Sequence, residues 1–271
     1  MLICRATDTI RHSVLFDKIA KRIQDPKVMH LVKQIIKVGG KIGVSQGGPF
    51  SPLAANIYLN EIDWFFDAIR RKTAEGDYEA VNYHRFADDI VITVSGHHTK
   101  RGWAERALQR LQEQLALIGV ELNREKTKLV NTLQGEAFGF LGFDLRRVRK
   151  PSGEGYFILM TPKKKARQAV KAKIRDIIAR GGATPATELV KQINATLAGW
   201  VNYFRVGNAS RAFSEVRDYA EMKIRTLLTR RKRRRKSSVG WRRWSNEYLY
   251  EVLGLYWDWK VQPLPGLGEG K

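Results

Sequence analysis

The spacing of apolar residues predicts that the first part of the chain mixes helices and strands. From residue 12 to residue 37, apolar positions recur at intervals of three and four, and Asp25-Pro26 interrupts them, which predicts two consecutive helices. Further helices are predicted at about 52–72 and 103–118, because both segments carry an apolar stripe of helical period. Between them, residues 83–94 predict two short strands joined by an acidic turn.

The second part of the chain begins with strands and then becomes helical. Residues 138–145 and 156–160 predict a hairpin. Three amphipathic helices follow, at about 163–180, 189–204 and 213–228. The periodicity changes near Thr161-Pro162, so we expect an α+β fold with a domain boundary at that point. The expected divisions are 1–161, 162–262 and a tail at 263–271.

The net charge of the chain predicts a polyanionic binding partner. The chain carries 49 Lys+Arg against 27 Asp+Glu, a formal charge of +22, and residues 146–271 hold 29 of these cations and 10 of these acids. Counterion release drives much of nucleic-acid binding, whereas solubility alone is usually served by a mixture of both signs. This one-sided excess therefore favours a nucleic-acid-binding surface over a merely solvated one.

Cysteine content and hydropathy narrow the class of protein further. Cys4 is the only cysteine, which excludes an intramolecular disulfide framework and a cysteine-based zinc site. No apolar run reaches the roughly 20 residues that a membrane-spanning helix needs. We therefore expect a cytoplasmic protein in a reducing compartment, with no membrane partner.

The candidate chemistry lies at Asp88 and Asp89. Two adjacent carboxylates at the turn of an apolar hairpin repel each other unless a cation offsets their charge. Oxygen ligands favour Mg²⁺, with Mn²⁺ as the alternative, and a two-metal site for phosphoryl transfer needs at least one further carboxylate. A solvated Asp-Asp turn is the other interpretation, because turns are commonly rich in aspartate.

Further motifs lie on both sides of these acids. In chain order they are residues 43–59, Arg85-Phe86-Ala87-Asp88-Asp89, Asn123-Arg124-Glu125-Lys126-Thr127-Lys128, Phe138-Gly139-Phe140-Leu141-Gly142-Phe143 and Leu197-Ala198-Gly199-Trp200-Val201-Asn202-Tyr203-Phe204. In order and spacing they resemble the palm motifs and the maturase signature of reverse transcriptases encoded by bacterial group II introns. The resemblance covers residues from about 9 to 261.

This resemblance implies an incomplete right-hand polymerase palm followed by an all-helical thumb and maturase bundle. The implied activity is RNA-directed DNA synthesis with Mg²⁺, an RNA template, a DNA primer and deoxynucleoside triphosphates, together with a maturase role in binding group II intron RNA. Asp88 and Asp89 would be the catalytic metal ligands. Substrate contacts would come from Gln46, Gly47, Gly48, Phe86 and Lys126. RNA contacts would come from Lys163, Lys164, Lys165, Arg167, Lys171, Arg231, Arg233, Arg234, Arg235, Trp241, Arg242 and Arg243.

The start of the chain departs from the family's pattern. Aligned on Asp8-Thr9-Ile10-Arg11-His12, Leu2 lies where the other metal-binding aspartate belongs, and the fingers segments are missing. We therefore expect an N-terminally truncated enzyme with little or no polymerase activity. A catalytically inactive, RNA-binding maturase remnant is the alternative. A third interpretation is a reverse transcriptase of a retron, diversity-generating or CRISPR-linked system. The maturase-like segment at 199–203 argues against the retron and the diversity-generating system. No endonuclease is expected after Val261.

Overall fold

The chain consists of two compact units, Met1–Gln134 and Gly135–Lys271. The computed structural model describes residues 2–3, 10–38, 40, 42–45, 48–74, 81–94, 102–231 and 243–262. Residues 2 and 3 are described by their backbone alone. Each unit has a hydrophobic core of its own. None of the helices in these ranges combines the length and the hydropathy of a membrane span.

The first unit packs helices against a small antiparallel sheet. Its helices are α1 (His12–Ala20), α2 (Pro26–Lys37), α3 (Ser51–Ala74) and α4 (Gly102–Leu117). Its strands are β1 (Leu2–Ile3), β2 (Val81–Phe86) and β3 (Asp89–Val94), in the order β1-β3-β2. Leu15, Tyr58, Ile90 and Leu111 are fully buried in one core, so α1, α3 and α4 are held together with the central strand β3.

The break between α1 and α2 has a local cause. Oδ1 of Asp25 accepts hydrogen bonds from the backbone amides of Lys27 and Val28, at 2.7 and 3.3 Å. Pro26 occupies the first helical position, where its missing N–H removes no helical hydrogen bond. The predicted interruption between two helices is therefore confirmed.

The second unit packs a three-stranded sheet against three long helices. The strands are β4 (Ala137–Phe140), β5 (Phe143–Arg149) and β6 (Tyr156–Pro162), in the order β4-β5-β6. The helices are α5 (Lys164–Arg180), α6 (Ala186–Phe204) and α7 (Ser210–Arg231), followed by a short π-helix at Tyr248–Val252. Ile174, Ile193 and Val216 are fully buried where α5, α6 and α7 meet, as the predicted apolar stripes require.

The sheet of the second unit packs on the helices that follow it. Phe143, Leu145 and Met160 form an apolar cluster with Phe204 and Phe213, which come from α6 and α7. The sequence analysis grouped these strands with the first domain, whereas their apolar face is covered by the helices that follow them. The domain boundary near residue 161 stays a prediction.

Candidate active site and nucleic-acid interface

The hairpin of β2 and β3 carries the paired acids at its tip. Phe86 pairs with Asp89, so Ala87 and Asp88 form a two-residue turn between the strands. Ala87 has a φ of +53°, a left-handed conformation that is uncommon for a residue with a Cβ atom. On the other side of β3, Ile3 of β1 pairs with Asp89. The acids therefore lie at the end of a three-stranded sheet, at a strained turn.

Arg85 anchors this turn to α3. Its Nε and Nη2 atoms donate to Oδ1 and Oδ2 of Asp63, at 2.8 and 2.5 Å. Its Nη1 atom donates to Oδ1 of Asn56 and to the carbonyl oxygen of Ala87, each at 2.9 Å. The side chain of Arg85 is only 10% exposed and that of Asp63 28%, so water screens the pair weakly. One guanidinium thus connects the strained turn to two residues of α3.

Tyr83 completes the support beneath the hairpin. Its hydroxyl donates to Oδ1 of Asp63 at 2.9 Å, and its ring stacks on Phe66 with the centroids 4.8 Å apart. Burial raises the pKa of Tyr83 far above its usual range, and the charge of Asp63 raises it further. The hydrogen bonds that Arg85 donates to Asp63 raise the pKa of the guanidinium. A neutral phenol and an ion pair therefore persist together at neutral pH.

Asp88 and Asp89 offer oxygen ligands of the type that Mg²⁺ prefers. Both side chains are half-buried at the tip. Within the described ranges, no group of three or more His, Cys, Asp or Glu residues is placed to hold a metal ion. The register of β1 puts Leu2 opposite Ile90, and a leucine supplies no ligand. Among the residues that the structure describes, the donors at the tip fit one weakly held divalent cation and fall short of the two ions of a complete site.

The predicted substrate contacts are distributed over several elements. Phe86 is 62% exposed and pairs directly with Asp89, so the two residues share one face of the sheet. Gly48 lies in the turn before α3, and Lys126 is exposed in the turn after α4. The hairpin thus brings Phe86 together with the acids. Gln46 and Gly47 lie outside the described residues.

Two motifs of the second unit contact each other, the one that ends at Phe143 and the one that ends at Phe204. Leu141 and Gly142 form the turn between β4 and β5, with φ values of +46° and +79°. The hydroxyl of Tyr203 donates to the carbonyl oxygen of Leu141 at 3.0 Å. A Cβ atom on Gly142 would lie 3.3 Å from the ring of Phe204. The turn therefore sits closely on the end of α6.

Several of the predicted RNA contacts form intramolecular pairs. Arg167 and Lys171 on α5 both pair with Glu215 on α7, the lysine at 2.6 Å. Arg231 donates to the carbonyl oxygen of Gly182 at 3.0 Å, just beyond the end of α5. These three side chains join α5 to α7, and their part in RNA binding stays a prediction.

The remaining predicted RNA contacts differ in exposure. Lys164 and Lys165 are exposed at the start of α5, and Arg243 is exposed with its guanidinium 5.5 Å from the ring centroid of the following tryptophan. The ammonium of Lys163 lies across Gly139 and fills the space that a Cβ atom there would take. Exposed cations therefore remain at the start of α5 and at Arg243. The other predicted contacts lie outside the described residues: Arg233, Arg234, Arg235, Trp241 and Arg242.

Sequence analysis missed two supporting groups. Asp63, the partner of Arg85, lies two helical turns after Asn56, and this spacing on one helix face was the available signal. Arg225 is 3% exposed, pairs with Glu221 at 3.0 Å and donates to Oδ1 of Asn246 at 2.5 Å. The i,i+4 spacing on α7 indicated a pair but not its burial. This pair fixes the segment after residue 243 to α7.

The paired acids at a hairpin tip and the strong positive charge of the second part of the chain are the features that the resemblance to reverse transcriptases implies, and comparison with known families agrees. A model described as reverse transcriptase (RNA-dependent DNA polymerase) matches residues 4–145. Because this match covers more than half of the chain, the chain belongs to the reverse transcriptase family. A second model, described as group II intron, maturase-specific domain, matches residues 167–249. Together the matches support a group II intron reverse transcriptase/maturase.

Several curated proteins are similar to this chain, and one of them is named for a group II intron. The chain is 33% identical over 193 residues to "Protein YkfC" of Escherichia coli, which covers 59% of this chain and 49% of that protein. It is 28% identical over 206 residues to "Group II intron-encoded protein LtrA" of Lactococcus lactis, covering 51% of this chain and 33% of that protein. It is 20% identical over 271 residues to "Uncharacterized 91 kDa protein in cob intron" of Schizosaccharomyces pombe, covering 73% and 33%. The chain thus spans half or less of the length of these relatives.

Proposed function

We propose that this chain carries the palm of an RNA-directed DNA polymerase, followed by a thumb and maturase region. The observation that carries the proposal is the Asp88–Asp89 pair at a strained turn, which Arg85 ties to α3. Adjacent carboxylates on a fixed tip are suited to hold a divalent cation beside a phosphate chain. The proposed domains are the palm at 1–161, the thumb and maturase region at 162–262 and a tail at 263–271.

Each residue at the tip has a role in this proposal. Asp88 and Asp89 hold Mg²⁺ or Mn²⁺, which supplies positive charge to the reacting phosphate when it is bound. Phe86, on the same sheet face as Asp89, offers its exposed ring to the sugar or base of a deoxynucleoside triphosphate. Arg85 keeps the turn in place, so the carboxylates need no rearrangement on binding. Gln46, Gly47 and Gly48 are assigned to contact with the new base pair, and Lys126 to contact with phosphates of the RNA template and DNA primer.

The second unit is proposed to bind group II intron RNA. The maturase-specific match at 167–249 and the excess of cations after residue 146 support this role. Phosphate contacts of this kind make affinity fall steeply with salt concentration. The residues proposed for RNA contact are Lys163, Lys164, Lys165, Arg167, Lys171, Arg231, Arg233, Arg234, Arg235, Trp241, Arg242 and Arg243.

A second candidate function is RNA binding without DNA synthesis. The observation that favours it is the register of β1, which puts Leu2 opposite Ile90, beside the acidic tip. Two carboxylates on one hairpin cannot easily fix two ions for in-line attack by a primer 3′-hydroxyl. We therefore expect the chain with this sequence to extend primers poorly or not at all.

Primer extension distinguishes the two candidates, and manganese binding tests the acidic tip. We expect the wild-type chain to bind Mn²⁺, measured by electron paramagnetic resonance, and Asp88→Asn or Asp89→Asn to abolish that binding. Asp17→Asn, on the exposed surface of α1, makes the same charge change elsewhere in the unit and is the control. Template-dependent extension that Asp88→Asn removes supports the polymerase. Salt-dependent RNA binding without extension supports the second candidate, and the absence of both Mn²⁺ and RNA binding contradicts the proposal.

A further inference from the structure

The far end of the β5–β6 hairpin presents an aromatic and cationic face. Arg147 pairs with Ile158 and Arg149 pairs with Tyr156, and directly opposed residues of antiparallel strands point to the same side. These four residues, the hairpin face, continue the side of the sheet on which Phe143 packs against α6 and α7. The end of this side that contains Phe143 therefore belongs to the hydrophobic core. The hairpin face lies at the other end, beyond that core.

The hairpin face exposes apolar surface that the fold does not cover. Tyr156 is 54% exposed and Ile158 is 51% exposed. The guanidinium carbon of Arg147 lies 3.8 Å from the ring centroid of Tyr156, which is the distance of a stacked cation–π pair. The guanidinium of Arg147 therefore lies over one face of the Tyr156 ring, and a base can stack only on the part of the ring that stays exposed.

The charge around this surface is strongly positive. The hairpin from residue 146 to residue 158 contains Arg146, Arg147, Arg149 and Lys150, and its acid is Glu154. Among the described residues, none of these four cations takes part in a salt bridge. Cations left without an acidic partner next to an exposed ring are complementary to a chain of phosphates that also carries bases.

We propose that the hairpin face binds single-stranded nucleic acid by stacking a base on Tyr156. Single strands expose the flat faces of their bases, which stack on aromatic rings and guanidinium planes, while nearby cations contact the backbone. The charge of the hairpin favours this partner over an apolar protein surface. The inference rests on the proposed nucleic-acid function and adds a contact site distinct from the residues assigned to RNA binding above.

The test compares oligonucleotides that have bases with one that has none. Fluorescence anisotropy measures binding of labelled single-stranded RNA, single-stranded DNA and an abasic deoxyribose-phosphate chain of equal length. Tyr156→Thr keeps a strand-forming side chain and removes the ring. We expect it to weaken binding of the base-bearing strands about ten-fold and to leave binding of the abasic chain unchanged. Tyr156→Phe keeps the ring and should bind like the wild type.

Arg146→Ala is the matched control, because Arg146 lies on the same strand but on the opposite side of the sheet from Arg147. Any loss of binding should be small and equal for the three probes, because the variant removes one positive charge near the face but no stacking surface. Urea denaturation confirms that each variant is folded. The RNA and DNA arms show which single strand, template or product, the face prefers.

The outcomes separate this inference from the proposed function. Equal losses for base-bearing and abasic chains in Tyr156→Thr, or no loss in either, overturn the stacking site even when the chain still binds structured RNA. A wild-type chain that binds neither the oligonucleotides nor structured RNA overturns the proposed function as well. Selective loss for the base-bearing strands, with Tyr156→Phe and Arg146→Ala behaving as stated, supports the site.

Discussion

Arg85 and Asp63 form a bidentate ion pair in which one guanidinium donates to both carboxylate oxygens, at 2.8 and 2.5 Å. The same guanidinium donates to the carbonyl oxygen of Ala87, inside the turn whose φ is +53°. A left-handed conformation costs a residue with a Cβ atom roughly 1–2 kcal/mol, so the turn needs support from its surroundings. The ion pair supplies this support and connects α3 to the acidic tip.

The first prediction concerns Arg85→Lys, which removes the planar fork and keeps the positive charge. A lysine ammonium cannot reproduce both hydrogen bonds to Asp63 and the one to the turn. We expect the free energy of unfolding to fall by about 1.5–3 kcal/mol and Mn²⁺ binding at Asp88 to weaken about ten-fold. Urea denaturation and electron paramagnetic resonance measure these effects. Arg71→Lys, exposed on α3, is the control, and unchanged Mn²⁺ affinity in Arg85→Lys contradicts the positioning role.

The second prediction concerns Leu2→Asp, which tests whether a missing carboxylate limits the metal site. β1 pairs with β3 so that Leu2 lies opposite Ile90 and Ile3 lies opposite Asp89. A carboxylate at this position adds negative charge one residue pair away from Asp89, so we expect Mn²⁺ binding to tighten about ten-fold. Leu2→Asn supplies similar size and polarity without the charge. An equal response of both variants in the Mn²⁺ titration contradicts the assignment of this position.

Local signals made the helix start and the hairpin turn predictable. Asp25-Pro26 predicted a helix start, and Oδ1 of Asp25 accepts the amide of Lys27 at 2.7 Å. The acidic turn followed from two apolar runs separated by polar residues, and the register of Phe86 with Asp89 confirms it. The packing of β4–β6 was not predictable in this way. The sequence shows that these strands have an apolar side but not which element covers it. In the structure, α6 and α7 cover it.

The partners of charged side chains were not predictable from the sequence where they lie far apart along the chain. The cationic pattern of α5 predicted a surface for polyanions, but Arg167 and Lys171 meet Glu215, which lies 48 and 44 residues further along the chain. Asp63 was missed for the same reason, because Arg85 lies 22 residues later, on a strand. Residue type and period indicate which chemical groups are present. Tertiary packing decides which of them neutralise one another.

The third prediction compares Gly142→Ala with Gly153→Ala, two glycines at the hairpin turns of one sheet. Both have left-handed φ values, +79° and +82°. A Cβ atom on Gly142 would lie 3.3 Å from Phe204, whereas nothing lies within 4 Å of one on Gly153. We expect Gly153→Ala to lower the free energy of unfolding by about 1 kcal/mol through backbone strain alone. Gly142→Ala should cost about 2 kcal/mol or more. Equal losses in urea denaturation contradict the packing of this turn on α6.

The fourth prediction concerns Asn194, which fastens the last described segment to α6. Its Nδ2 atom donates to the carbonyl oxygen of Gly254 at 2.6 Å, and its Oδ1 atom accepts the amide of Tyr256 at 2.8 Å. Asn194→Ala leaves both backbone groups without this partner, so we expect a loss of about 2–3 kcal/mol and faster proteolysis within residues 253–262. Gln192→Ala, which removes an exposed amide side chain from the same helix, is the control. Identical cleavage rates in the two variants contradict this fastening role.

The fifth prediction concerns Glu215, which makes the packing of α5 against α7 depend on pH. The hydrogen bond from Lys171, and after it the one from Arg167, holds the pKa of Glu215 below its ordinary value of 4.5. A carboxyl whose pKa is lower in the folded chain than in the unfolded chain stabilises the fold above the unfolded value. That contribution is lost as the pH falls through the folded value. Glu215→Gln should therefore reduce stability at neutral pH and flatten its dependence on pH in acid.

Urea midpoints between about pH 7 and pH 3 measure this effect. The difference between the wild type and Glu215→Gln should be largest near neutrality and shrink once the pH falls below the ordinary pKa of 4.5. Glu154→Gln removes an exposed carboxylate from the turn between β5 and β6, and its difference from the wild type should stay small throughout. Since a glutamine keeps the size of a glutamate, a difference for Glu215→Gln that does not change with pH would assign the loss to packing and not to the ion pair with Lys171.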